Sequence, residues 1–150
     1  MASASALSRP TSATGIGRRV LAGVAGGIAG GIVFGMLMAM MDMLPVIASI
    51  VGSASAVVGF GVHLMISVMI GLGLTVLLGN RFLTGYGRGA LVGLGYGAIW
   101  WVLSPLMIMP VMMGMPLFTV DLTALMSLMG HMIYGVILGV VAVRVLKSRA

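Results

Sequence analysis

The side chains in this sequence with the strongest claim to chemistry are two histidines, a concentration of methionines and two aspartates. His63 and His131 each fall within a long apolar stretch, 68 residues apart. An imidazole in such a setting has two uses. It can hydrogen-bond a serine or a carbonyl on a neighbouring helix, typically gaining about 0.6 kcal/mol. It can also act as a ligand, and a matched pair of histidines is a common axial set for haem. Ser67, one turn after His63, and Tyr134, one turn after His131, are the polar groups that would share such a ligand site. No C-x-x-C-H segment accompanies them.

Of the 16 methionines, ten form two groups: Met36, Met38, Met40, Met41 and Met43, then Met107, Met109, Met112, Met113 and Met115. Thioethers are soft donors suited to Cu(I), which makes Met38, Met40, Met43, Met107, Met109 and Met112 candidate metal ligands. Methionine is also a flexible hydrophobe that fills irregular gaps, and helical spacing turns the members of an M-x-M pair onto different faces. Packing is therefore the expectation, with haem and copper as the cofactors still open.

The remaining inventory argues against catalysis. Asp42 and Asp121 are the only carboxylates among the side chains, cysteine and glutamate are absent, and no G-x-S-x-G or H-E-x-x-H segment occurs. The 24 glycines lie largely inside apolar stretches rather than on a strand-to-helix turn, which excludes a phosphate loop. The expectation is a protein without enzymatic activity.

The elements that position these residues follow from composition. Of 150 residues, 61% are hydrophobic and 7% charged, far below the roughly 25% charged residues of a soluble domain. Four uncharged stretches, 20–41, 54–78, 89–109 and 122–143, are each long enough to cross a hydrocarbon core of about 30 Å as a helix. Helix rather than strand follows because backbone groups in lipid must be satisfied within the segment. The first 16 residues, rich in Ser, Ala and Thr, read as a disordered tail ahead of one membrane domain at 17–150. The apolar run after Arg18-Arg19 exceeds the length of a signal-peptide core, so it reads as a span.

All eight basic residues flank one side of these stretches: Arg9, Arg18 and Arg19, then Arg81 and Arg88, then Arg144, Lys147 and Arg149. The positive-inside rule places both termini and the middle connection in the cytoplasm of a cell-membrane protein. The net charge of +6 is thus a topology signal, and nucleic acid is not an expected partner.

The sequence also repeats itself. GRRVLAG at 17–23 returns as GNRFLTG at 79–85, and Gly23, Gly27, Gly31 and Gly35 stay in step with Gly85, Gly89, Gly93 and Gly97. Later in each unit the offset becomes 68, pairing His63 with His131 and Gly71 with Gly139. The expected fold is all-α: a four-helix transmembrane bundle of two tandem, like-oriented hairpins, 17–78 and 79–146, related by a pseudo-two-fold axis along the membrane normal. Glycines four apart share a helix face and allow close backbone approach, so the ten glycines named above are expected at helix contacts. The lipid bilayer, further copies of the chain and a larger membrane complex are the expected partners, with packing the leading function. A haem- or copper-binding bundle and a small transporter are the alternatives.

Overall fold

A computed structural model describes residues 12–148, apart from the side chains of residues 12–14 and 80. Arg9, Arg149 and most of the expected tail lie outside the described residues. Among those described there is no strand. Helix α1 (Ser12–Met40) is followed by a short α2 (Leu44–Ala48) and by α3 (Ala56–Leu72). Helix α3 runs through a wide turn, Gly73–Leu78, into α4 (Gly79–Phe82). Helix α5 (Tyr86–Leu103) passes through a second wide turn, Ser104–Ile108, into α6 (Met109–Met113), and α7 (Leu122–Lys147) closes the chain.

Four segments are long and apolar enough to cross a membrane: Gly15–Met40, Ala56–Leu78, Tyr86–Met113 and Leu122–Lys147. They overlap the four expected spans, and the chain is an all-helical, multi-pass membrane protein by length and composition. The boundaries differ most at the first and third spans. Helix α1 begins inside the segment read as a tail. The third continues past Pro105 and Pro110 because the wide turn absorbs the first, and the second sits near the start of α6, where a missing N–H costs little. The Leu106 carbonyl, which Pro110 cannot serve, accepts instead from Phe118 N at 3.0 Å. That bond folds the connection 114–121 back over the helix end.

The neighbours run in the order α3, α1, α7, α5, each adjacent pair antiparallel and packed along its length. Helix α1 is central because it is glycine-lined on two sides. Gly23, Gly27, Gly31 and Gly35 face α3, where a Cβ on Gly27 would come 2.7 Å from the Ser67 carbonyl oxygen. Gly26 and Gly30 face α7, where the same construction ends 2.9 Å from Leu138 O and 2.8 Å from Tyr134 O. Between α5 and α7, Gly89 meets Gly139, Gly93 meets Gly135, and Gly97 meets the His131 carbonyl, all at backbone contact.

A two-fold relation would pack α5 on α3 as α1 packs on α7. Those two helices do not pack along their length; they meet through Tyr96, whose hydroxyl donates to Ile70 O at 2.9 Å. The reason lies at three positions where the two glycine-rich helices differ. Gly26, Gly30 and Phe34 of α1 correspond to Arg88, Val92 and Tyr96 of α5. Helix α5 therefore lacks the second glycine face, and its bulkier side chains hold α3 away. Register differs too. Gly139 lies against Gly89 and Gly93, whereas Gly71 lies against Gly23 and Gly27, one turn from the positions equivalent in the repeat.

One end of the bundle gathers the described basic residues. Arg18 Nη1 donates to Leu146 O at 3.5 Å, and Arg19 Nη1 to Val76 O at 3.2 Å on the wide turn after α3. Lys147 Nζ stands 5.5 Å from the centroid of the Tyr86 ring, and Arg88 Cζ 6.0 Å from that of Phe82. Asp42 and Asp121 lie at the opposite end.

Candidate functional site

The two histidines come together. Each projects from the small-residue face of its helix, His63 from α3 and His131 from α7, and both are buried. A side chain without any mark in the sequence joins them: Phe34 of α1 packs edge-on against both rings, with centroids 5.2 Å from His63 and 4.7 Å from His131. The imidazoles thus lie less than the sum of those distances apart, which is within reach of a shared ligand. Gly130 makes room for the Phe34 ring, since a Cβ there would collide with it.

The nitrogens fix the tautomers. A carbonyl can only accept, so His63 Nε2 carries the proton it donates to Gly31 O at 3.1 Å. By the same argument His131 Nδ1 donates to Ser127 O at 2.8 Å. Ser67 Oγ stands 3.5 Å from His63 Nε2, and Ser127 Oγ 3.3 Å from His131 Nδ1. The lone pairs on His63 Nδ1 and His131 Nε2 remain for any ligand. A tetrapyrrole held by both would reach well beyond those atoms and displace Phe34. What the geometry performs as it stands is one cross-link, from His63 of α3 to the backbone of α1, while His131 bonds within α7 and reaches α1 through the Phe34 ring.

Ser67 and Tyr134 do meet, although at backbone level. The Tyr134 hydroxyl donates to Ser67 O at 2.6 Å, carrying a link from α7 across the glycines of α1 to α3. The Tyr134 ring lies over Gly30, where a Cβ would come 2.8 Å from ring carbon Cδ2. Of the ten glycines expected at contacts, nine are there. Gly85 is not: a Cβ on it would have no neighbour within 4 Å, and it is the extended residue that precedes α5. Helix α5 starts one residue later than the glycine period, so Gly85 falls outside the packed face.

The methionines divide in a way that spacing alone could not show. At the acidic end a cavity of about 230 Å³ is lined by Met38, Met43, Met109, Met113 and Met115. Met40, Met107 and Met112 do not line it. Two helix endings of the same type deliver two of these methionines. Helix α1 stops at Asp42, in the left-handed region with φ 56°, with Met43 N bonded to Met38 O at 2.9 Å. Helix α6 stops at Gly114 with φ 64°, and Met115 N bonds to Pro110 O at 2.9 Å. In this ending the residue after the left-handed position turns back onto the helix. Both times that residue is methionine, and both times it lines the cavity.

The remaining polar side chains serve the helices. Asp121 caps α7, its Oδ1 accepting from Ala124 N at 2.7 Å. Ser55 caps α3, its side chain accepting from Val58 N. Trp101, within the third span, donates from its indole to Ala124 O at 2.8 Å, while Trp100 packs against Tyr96. No family model matches the chain, and no similarity to a curated protein or to a solved structure is found.

Proposed function

We propose that the chain is a non-enzymatic protein of the cell membrane, both ends cytoplasmic, built from two tandem, like-oriented hairpins and acting through helix packing. Its role is to present a rigid body to further copies of itself or to the subunits of a membrane complex. The observation that carries this reading is the double glycine face of α1, which brings two neighbouring helices to backbone contact at once. In lipid no hydrophobic force drives helices together, so close van der Waals approach of this kind is the main source of cohesion. His63 supports it, since its Nε2 donates across a helix contact to Gly31 O of α1, and His131 contributes through its ring contact with Phe34. The outer surface offers room for a partner: an apolar groove of about 460 Å³ runs along α5 and α7 past Leu94, Met129 and Ile133.

The grouping of basic residues supports the orientation. Reporter fusions after Ala150 and within 79–88 are expected to be cytoplasmic, and those near Gly52 and Leu117 external. An external reporter in the middle connection overturns the orientation. Protein extracted in mild detergent is expected to migrate above its monomer mass, as a homo-oligomer or with bound subunits. A strictly monomeric chain with no co-purifying protein overturns the packing role.

A further inference from the structure

We propose that the methionine-lined cavity at the acidic end is a binding site for Cu(I). Five thioethers reach it from three separate places in the chain: Met38 and Met43 around the end of α1, Met109 and Met113 on α6, and Met115 just beyond it. Neutral sulfur donors of this kind select soft monovalent cations and have little affinity for magnesium or calcium.

Three features separate this cavity from a gap that methionine merely fills. A flexible side chain used as filler would close the space, yet a cavity of about 230 Å³ stays open where these five meet the connections that follow α1 and α6. The backbone is held rather than loose. Pro105, Pro110 and Pro116 line the same cavity, and the left-handed endings at Asp42 and Gly114 fix the two segments that deliver Met43 and Met115. The third feature is charge. Asp121, one of the two side-chain carboxylates in the chain, borders the cavity. Its Oδ1 is taken by Ala124 N, which leaves Oδ2 to offset a single positive charge. A site of neutral sulfurs with one carboxylate beside it matches a monovalent ion better than a divalent one.

The cavity exceeds one dehydrated ion, so binding draws the thioethers inward, a movement the unbranched methionine side chain permits. Its floor includes Ser127, whose carbonyl orients His131. An ion held there would therefore lie next to the histidine cluster. This site does not depend on the packing role proposed above, and either can fail alone.

The test titrates the full chain in mild detergent with Cu(I) under reducing conditions against a competing chromogenic chelator, and with Ag(I) as a redox-inert probe. Saturable binding is expected, with sulfur in the metal's coordination shell by X-ray absorption. Met43→Leu/Met115→Leu keeps side-chain volume and is expected to weaken binding by more than about tenfold, the loss seen when even supporting groups of a metal site are disturbed. Met40→Leu/Met112→Leu, outside the cavity, is expected to bind like the wild type. Asp121→Asn keeps a good helix cap and removes only the charge, so it is expected to weaken binding even if the double leucine variant proves unstable. Absence of saturable binding, or equal affinity in the wild type, Met43→Leu/Met115→Leu and Asp121→Asn, overturns the site.

Discussion

Gly93→Ala and Gly95→Ala, two residues apart on α5, are expected to shift stability in opposite directions. A Cβ at Gly93 would collide with the Gly135 carbonyl, and that atom belongs to the backbone of α7. Neither partner can rotate away, so the helices must separate along the whole contact. Overpacking of this kind costs about 1–3 kcal/mol. At Gly95 nothing lies within 4 Å of the added atom. There alanine is expected only to remove the conformational freedom of glycine, a gain of up to about 1 kcal/mol. Equilibrium unfolding in mixed detergent micelles measures both. A Gly93→Ala variant as stable as Gly95→Ala would mean that α5 and α7 are not in backbone contact.

Phe34→Ala is expected to be the most damaging single truncation of a side chain. The ring is 8% exposed, touches both imidazoles and fills the space above Gly130. Its loss is expected to cost about 3 kcal/mol, the low end for phenylalanine truncation in a core, because lipid solvates the separated helices and no transfer term from water applies. Gly130→Ala alone is also expected to destabilise, since its Cβ would strike the ring. Combined with Phe34→Ala it has room, so the double variant should lose less than the two single losses together. Strict additivity in the same unfolding assay would place the ring elsewhere.

These two expectations show how far the sequence reaches. The four spans are legible because charge and length settle them, and the glycine faces of α1 and α5 are legible because a period of four runs through each. The face of α1 against α7 was equally visible as the doublets at 26–27 and 30–31, yet only one glycine of each doublet fits the repeat. An exact repeat leaves the other without a role. The same comparison held the reason why α3 and α5 stay apart, in Arg88, Val92 and Tyr96. The histidines meet as their matching places in the expected repeat suggest, whereas nothing in the sequence marks Phe34, whose contacts reach to α3 and, nearly a hundred positions on, to α7. The cavity was the least legible feature. Met38 and Met40 look equivalent in a list, and only the left-handed turn at Asp42 and the return of the connection to Leu106 decide which thioethers converge.

The neighbour order α3, α1, α7, α5 is the claim on which the rest depends, and cysteine cross-linking in native membranes tests it most directly. The chain contains no cysteine, so every disulfide formed reports an introduced pair. Two cysteines bridge only if their Cα atoms lie within about 7 Å. Phe34→Cys with Gly130→Cys, across α1 and α7, is expected to cross-link efficiently, because loss of the ring frees the space that a Cβ at Gly130 needs. The pair at the matching sequence positions, Tyr96→Cys with Val62→Cys across α5 and α3, is expected to stay reduced. Equal cross-linking of the two pairs would establish a closed, symmetric bundle, and failure of the first pair would remove α1 from the centre of the structure.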